Sequence, residues 1–240
     1  MERILITGAA GKIGYALRTG LRGLYPLIRL LDIVPLGTAE AGEDIFATDI
    51  RDMAALEKAM AGIDCVVHLA GASEEAEWGK VLPLNIEGCF NVFEAARSQG
   101  VKRIVFASSN HAVGFHRRER FIDNTVAPRP DSRYGVSKVF GEAIGRLYAD
   151  KHGLSVACLR IGTFRTPDRP VDARGLLTWI LRSRWDNTNV KFLGYCPEDD
   201  SEVFAAEILA PGAKENEIAA QFHGAHYCTM EFTGDTSQID

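Results

Sequence analysis

Short apolar runs alternate with longer amphipathic segments along the first two thirds of the chain. A strand with one solvated face alternates apolar and polar residues, so near-continuous apolar runs are typical of parallel strands that are buried on both faces. The predicted strands are Arg3–Thr7, Ile28–Leu31, Ile45–Thr48, Cys65–Leu69, Arg103–Ala107 and Ser155–Ile161.

The segments between these runs carry apolar residues at helical spacing. The clearest of them predict helices over Met53–Ala61, Asn85–Ser98 and Tyr134–Lys151. Helices that connect parallel strands of one sheet make right-handed crossovers. The alternation therefore predicts an α/β fold, a Rossmann-type doubly wound parallel sheet.

The pattern weakens after Pro167, where the chain becomes rich in Pro, Asp and Arg and only Ser201–Leu209 is predicted as a helix. At 240 residues, the chain has the length of one large α/β domain. We therefore predict a single domain over residues 1–240, in which residues 163–240 form a small C-terminal portion on the substrate side.

A glycine-rich turn follows the first predicted strand and leads into a helix. It contains Gly8, Gly11, Lys12, Ile13 and Gly14. Glycines permit a tight turn and a close approach of the backbone to a pyrophosphate, and the helix N-terminus offers free N–H groups to the anion. An ordinary flexible turn is the alternative, but the position on the first strand of a βαβ unit favours a dinucleotide site.

The second predicted strand is followed by Asp32, where a carboxylate can accept hydrogen bonds from both hydroxyls of an adenosine ribose. Ile33, Val34 and Pro35 come next, so no Arg or Lys stands ready for the 2′-phosphate of NADP. We therefore predict NAD as the cofactor. The alternative is that Asp32 only caps the next segment.

Two further strand ends add residues to the predicted cofactor site. Asp49 and Ile50 follow the third strand, and Leu69, Ala70 and Gly71 close the fourth. Ligands of open α/β sheets bind at the carboxyl ends of strands. Asp49 can accept from an adenine amino group, and the small residues let the backbone run close to the dinucleotide, although a tight turn is an alternative explanation.

Candidate catalytic residues stand at the end of the fifth strand and on the helix that follows. Ser108 and Ser109 end the strand, and Tyr134 and Lys138 share one helix face at i and i+4. We expect the Lys138 ammonium to lower the pKa of the Tyr134 phenol toward neutrality, so that the phenol accepts a substrate proton as hydride leaves. Ser109 would orient the reacting hydroxyl.

The order of these features resembles the extended short-chain dehydrogenase/reductase superfamily, and longer motifs resemble the uronate dehydrogenases within it. The motifs are Phe106-Ala-Ser-Ser-Asn-His111, Tyr134-Gly-Val-Ser-Lys138, Phe140-Gly-Glu142, Arg160-Ile-Gly162, Leu177-Thr-Trp179 and Arg184-Trp-Asp-Asn187 with Phe192-Leu-Gly-Tyr195. The resemblance implies oxidation of D-glucuronate or D-galacturonate at C1 by NAD, giving the aldarolactone, with Tyr134 as general base.

The resemblance also implies contacts for individual residues. Those implied to touch the substrate are Ser73, Ser109, Asn110, His111, Tyr134, Thr163 and Arg174, and those implied to touch NAD include Asn85, Ser108, Tyr134, Lys138 and Ile161. The helices over Asn85–Ser98 and Tyr134–Lys151 pair across a two-fold axis in this superfamily, which implies a homodimer or a higher homo-oligomer.

Arg174 is the residue expected to bind the substrate carboxylate. It follows the sixth strand by a short Pro-rich loop, and a planar guanidinium matches a carboxylate with two parallel hydrogen bonds. A solvated loop arginine, like Arg165 and Arg169 nearby, is the alternative.

The chain departs from the family pattern in two places. Family members have about 25 to 30 more residues between the motifs that end at Trp179 and begin at Arg184, enough for a helix and an outer strand. Lys12 also stands where a relative carries Gln, so a polar contact near the sugar differs.

Composition and charge exclude other classes of partner. The net charge of −5 offers no basic surface for nucleic acid. No apolar run is long enough for a membrane span, and no signal peptide is visible. Five cysteines, an odd number, favour a reducing cytoplasmic setting. His223, His226 and Cys228 lack a second ligand pair, so no metal site is predicted.

Two alternative functions stay open at this point. A nucleotide-sugar epimerase or dehydratase of the same superfamily would use the same Tyr134 and Lys138, but it needs a larger C-terminal portion. A non-catalytic NAD-sensing protein would share the fold. It would have no use for an activated phenol.

Overall fold

The computed structural model describes residues 3–116, 122–162 and 164. Within them the chain forms six strands, and all strand pairs are parallel. The strands are β1 (Arg3–Thr7), β2 (Leu27–Asp32), β3 (Glu43–Ala47), β4 (Cys65–His68), β5 (Arg103–Ser109) and β6 (Ser155–Ile161).

Helices connect the strands. They are α1 (Lys12–Gly20), α2 (Met53–Met60), α3 (Trp78–Val81), a π-helical turn over Leu82–Glu87, α4 (Gly88–Ser98), a short 3₁₀ helix over Asn110–Val113 and α5 (Arg133–His152). Side chains cap three of them at the N-terminus. Asp52 accepts from the amide of Ala55, Ser109 accepts from the amide of His111, and Ser132 accepts from the amide of Gly135.

The strand order is β3-β2-β1-β4-β5-β6. The order reverses between β1 and β4, which lie side by side with Thr7 paired to His68 at their carboxyl ends. Ligands of doubly wound sheets bind in the crevice at such a reversal. The predicted Rossmann-type fold is therefore confirmed, and its cofactor crevice lies where the glycine turn leaves β1.

Successive residues of the central strand β1 pack into two apolar layers, one on each face of the sheet. Leu5 belongs to the layer that contains α2, α4 and α5, whereas Ile4 and Ile6 belong to the layer under α1. Leu5 and Ile6 are fully buried. Burial on both faces explains why β1 has no alternating polar positions.

Element boundaries differ from the predicted ones in two informative places. The predicted helix over Asn85–Ser98 belongs to a longer helical segment that begins at Trp78, because the π-helical turn accommodates Pro83 inside it and the Gly88 amide bonds the Pro83 carbonyl. The strand β3 begins at Glu43, earlier than predicted, because Glu43 and Asp44 form ion pairs with Arg18 and Arg29.

The predicted helix over Ser201–Leu209 lies outside the described residues. Within the described part, no helix is long and apolar enough to cross a membrane.

Candidate active site

The glycine turn after β1 has the close backbone contacts that only glycine allows. Gly8 has a φ of 70°, and a Cβ there would lie 2.7 Å from the Ala70 nitrogen. A Cβ at Gly14 would lie 2.5 Å from the Gly8 carbonyl oxygen. No side chain caps the N-terminus of α1, whose first residues are Lys12 and Ile13. Backbone N–H groups are thus left to an anionic ligand, as a pyrophosphate requires.

Asp32 lies beside this turn at the end of β2. One carboxylate oxygen accepts from the Ala10 amide at 2.9 Å, and the other accepts from the Val34 amide at 3.0 Å. Each oxygen keeps a further lone pair for a ribose hydroxyl. The bond to Val34 is a local contact of the kind expected if Asp32 only caps the next segment. Asp32 therefore stabilises this loop and can still bind a ligand.

The arginine of α1, Arg18, is held by other groups of the protein. Arg18 donates to the Glu43 carboxylate at 2.6 and 3.0 Å and to the carbonyls of Leu36 and Thr38. Hydrogen bonding from Arg18 lowers the pKa of Glu43 to about 2. Because Glu43 holds Arg18 in place, this arginine offers no charge to a 2′-phosphate near Asp32.

Asp49 and Ile50 contribute differently. The Asp49 carboxylate binds Arg51 at 2.6 Å, and the hydrogen bond from Arg51 lowers the pKa of Asp49. The Ile50 side chain is buried and fills the space above Gly88. A cofactor contact of Ile50 would therefore come from its backbone.

A buried pair that the sequence did not indicate holds the loop after β4. The Thr7 hydroxyl accepts from the amides of Leu69 and Ala70, both at 3.2 Å. It lies 2.8 Å from His68 Nδ1 and therefore has its single proton to donate there. Burial lowers the pKa of His68 to about 3, so the ring is neutral. In the sequence, the only indication of this pair is that Thr7 and His68 are polar residues in otherwise apolar strands.

Asn85 fastens this loop to the helix that carries the candidate catalytic residues. Its amide oxygen accepts from the Ala72 amide at 2.7 Å, and its nitrogen donates to the Ala72 carbonyl and the Ser137 hydroxyl. Both N–H groups are used within the protein. The predicted contact of Asn85 with NAD stays a prediction, and the observed bonds give it a bracing role.

The predicted catalytic residues meet where β5 ends against α5. Tyr134, Lys138 and Ser109 are all buried, at 8%, 6% and 3% exposure. Lys138 Nζ lies 5.3 Å from the centroid of the Tyr134 ring and donates to the Ala107 carbonyl at 2.8 Å. The Ser109 hydroxyl donates to Asn110 Oδ1 at 3.2 Å and lies near enough to the Tyr134 side chain to act on its pKa. The three groups can therefore act on one substrate atom.

The pKa values in this cluster differ from the expectation. Burial raises the pKa of Tyr134 above its usual 10, although the hydrogen bond with Ser109 opposes the effect. Burial also lowers the pKa of Lys138 to about 8. The prediction that the ammonium lowers the Tyr134 pKa toward neutrality is wrong for the protein as described, because burial of the phenolate has the largest effect on this pKa and raises it.

Ser108 points away from Ser109, as successive strand residues do. Its hydroxyl donates to Glu142 at 2.6 Å, and Glu142 pairs with Arg160 of β6 at 3.0 Å. This largely buried ion pair joins α5 to β6. A cofactor contact of Ser108 would come from its backbone, whereas its side chain stabilises the helix position.

The predicted substrate residues lie around the Tyr134 ring as far as the structure describes them. His111 contacts that ring edge to face with centroids 5.6 Å apart, and Ser109 accepts from the His111 amide. Asn110 is half-buried beside them. Ser73 is exposed in the loop between Ala72 and Glu75, whose carboxylate accepts from the Tyr134 amide at 2.9 Å.

The remaining predicted contacts are only partly covered. Ile161 ends β6 opposite Ser109. Thr163 and Arg174 lie outside the described residues, as do His223, His226 and Cys228. Among the residues that the structure describes, no group of three metal-ligating side chains occurs.

Known proteins resemble this chain over most of its length. The model of the NAD dependent epimerase/dehydratase family matches residues 4–196. A uronate dehydrogenase from Pseudomonas putida is 38% identical over 242 residues, which cover 88% of this chain and 90% of that protein. An L-arabinose 1-dehydrogenase (NAD(P)+) from Haloferax volcanii is 40% identical over 202 residues, covering 77% of each.

A solved structure is also similar. The crystal structure of a mutant uronate dehydrogenase from Agrobacterium tumefaciens complexed with NAD has a TM-score of 0.68 and 36% sequence identity, and the match covers 78% of this chain and 73% of that one.

Proposed function

The chain belongs to the NAD-dependent epimerase/dehydratase family and, within it, to the uronate dehydrogenases, and on that premise we propose that it oxidises a hexuronic acid with NAD. D-glucuronate or D-galacturonate loses hydride from C1 and becomes the aldarolactone. The observation that carries the proposal is the buried cluster of Tyr134, Lys138 and Ser109 at the carboxyl end of β5.

Tyr134 acts as the general base in this proposal. Its phenolate accepts the proton of the C1 hydroxyl as the hydride leaves C1. Lys138, with a pKa of about 8, is mostly charged at neutral pH, and in this proposal its ammonium near the ring offsets part of the burial that raises the pKa of Tyr134. Ser109 positions the substrate hydroxyl. NAD, when bound, supplies the hydride acceptor.

Tyr134→Phe tests the base. The variant loses one hydroxyl, so we expect kcat to fall by about 100-fold or more while NAD binding persists. Tyr148→Phe is the matched control, because Tyr148 lies on the same helix and its hydroxyl donates to Glu94 at 2.6 Å, away from the site. Near-normal turnover in Tyr134→Phe would refute the assignment.

Arg174 is proposed to bind the substrate carboxylate. Support comes from its place after β6 and from the resemblance to uronate dehydrogenases. The similarity to an L-arabinose 1-dehydrogenase favours a second candidate, a neutral-sugar dehydrogenase, for which Arg174 has no carboxylate to bind.

The two candidates differ in their response to Arg174→Ala. For a uronate enzyme, we expect kcat/KM for glucuronate to fall roughly 30- to several-thousand-fold, with a much smaller change for L-arabinose. Arg174→Lys should retain only part of the kcat/KM for glucuronate that Arg174→Ala loses, because an ammonium cannot form two parallel hydrogen bonds with the carboxylate. Arg169→Ala is the control from the same segment. An equal loss for both sugars would contradict the carboxylate role.

The quaternary and cellular context is proposed as well. We infer a homodimer or a higher homo-oligomer that pairs through α4 and α5, because Phe90, Val136 and Leu147 expose apolar side chains on these helices. Leu147→Glu should shift the mass measured by light scattering toward the monomer. We further propose a cytoplasmic location, in keeping with Cys65, Cys89 and Cys158, which form no disulfide bonds.

The domain organisation remains a proposal too: one NAD-binding domain over residues 1–240, with residues 163–240 on the substrate side and a family segment missing near residues 180–184. The alignment with the Pseudomonas putida enzyme runs over 242 residues but covers only 88% of a 240-residue chain. This supports a stretch that the relative has and this chain lacks.

A further inference from the structure

A carboxylate outside the assigned site residues binds one of them. Asp131, in the segment before α5, lies with Oδ1 2.8 Å from His111 Nδ1. The Asp131 amide donates to the His111 carbonyl at 3.3 Å, and the Ser132 hydroxyl donates to the same Asp131 oxygen at 3.0 Å. Gly114 leaves the room for this carboxylate, since a Cβ at Gly114 would collide with it. The pair is therefore held from several sides.

The contact determines which ring nitrogen of His111 carries a proton. An ionised carboxylate only accepts hydrogen bonds, so Nδ1 must donate to Asp131. A neutral imidazole with its proton on Nδ1 has a bare lone pair on Nε2. Within the described residues, Nε2 has no hydrogen-bond partner, and the ring lies against Tyr134 with the side chain 42% exposed.

We propose that Asp131 is a positioning residue that fixes the Nδ1–H form of His111, so that Nε2 accepts a hydrogen bond from a sugar hydroxyl next to the one that Tyr134 deprotonates. The proposal rests on the sugar oxidation proposed above. An acceptor nitrogen repels a carboxylate, so His111 recognises a hydroxyl and the carboxylate of the substrate binds elsewhere. Asp131 itself does not touch the substrate.

Asp131→Asn is the test variant, because it keeps the side-chain shape but can donate to Nδ1 and so release the proton to Nε2. We expect KM for the oxidised sugar to rise about tenfold or more, the equivalent of one hydrogen bond, with a smaller change in kcat and unchanged NAD affinity. In a His111→Ala background, the same substitution should have almost no effect on KM.

Ser132→Ala is the matched control for a merely structural role. It removes the bond to Asp131 and the helix cap on Gly135 but leaves the Asp131–His111 contact. We expect a lower melting temperature without a rise in KM. If Ser132→Ala raises KM as much as Asp131→Asn does, or if Asp131→Asn has its full effect without His111, the proposal is overturned.

Nitrogen-15 NMR of the imidazole gives an answer that does not depend on turnover. The protein should show His111 protonated at Nδ1, and Asp131→Asn should move the proton toward Nε2. A bare Nδ1 in the unsubstituted protein would overturn the proposal even if uronates are oxidised. If uronates are not oxidised but the Nδ1–H form is found, only the proposed substrate fails, and KM is then measured with the sugar that is oxidised.

Discussion

Burial of the Lys138 ammonium lowers the free energy of unfolding, and replacing this residue should therefore stabilise the fold. Its ammonium is buried, and burial lowers its pKa from the usual 10.5 to about 8. At about 1.4 kcal/mol per tenfold change in acidity, this difference corresponds to about 3 kcal/mol of folding free energy. Its hydrogen bond to the Ala107 carbonyl returns about 2 kcal/mol. Lys138→Met should therefore stabilise the fold by about 1 kcal/mol at neutral pH while it abolishes turnover.

The pH dependence tests this reasoning more sharply than one comparison does. Because the folded-state pKa of Lys138 is lowered, the unfolded chain binds more protons between pH 8 and 10.5, and the free energy of unfolding rises with pH in that window. Lys138→Met lacks this rise. Its stability relative to the unsubstituted protein should therefore fall by about 2 kcal/mol between about pH 7 and about pH 9.5.

Urea unfolding followed by circular dichroism at several pH values measures this difference. Lys151→Met, on the exposed end of the same helix, is the control and should show little change with pH. The reasoning is refuted if the free energy of unfolding of Lys138→Met, relative to that of the unsubstituted protein, stays constant or increases as pH rises.

Three other residues give further expectations. Asp32→Ala should lower kcat/KM for NAD and so reduce the ratio of kcat/KM for NAD to kcat/KM for NADP by about tenfold or more. Initial-rate assays with both cofactors measure this ratio, and an unchanged ratio would contradict the contact between Asp32 and the ribose. Asn85→Ala should lower the free energy of unfolding by about 1–3 kcal/mol in urea titrations, because the buried N–H and carbonyl of Ala72 lose their partner. Glu142→Ala should lower the free energy of unfolding by about 3–5 kcal/mol, because it removes the carboxylate that pairs with the largely buried Arg160. A smaller loss in the double variant that combines Glu142→Leu and Arg160→Leu would show that the unpaired charge is the cause.

The sheet could be predicted from the sequence because its strands are buried on both faces. Arg3–Thr7 and Ser155–Ile161 were predicted with the boundaries that the structure has. The edge strand β3 was placed too late, since its first residues are acidic and their arginine partners come from distant parts of the chain. Long-range ion pairs leave no local periodicity.

The candidate site was predictable in its residues but not in its energetics. Tyr134, Lys138 and Ser109 come together as expected, because their order along a βαβ pattern fixes their place. The raised pKa of Tyr134 was not predictable, since burial depends on packing of the whole domain. The pairing of Asp131 with His111 likewise depends on how the 3₁₀ helix meets the start of α5.

The most direct test of the proposed function is the initial rate of NADH formation with D-glucuronate, D-galacturonate, L-arabinose and glucose 6-phosphate, each with NAD. The proposal predicts NADH formation with at least one uronate, at a kcat/KM well above that for either of the other sugars. A preference for L-arabinose or glucose 6-phosphate, or NADH formation with no uronate at all, would contradict it.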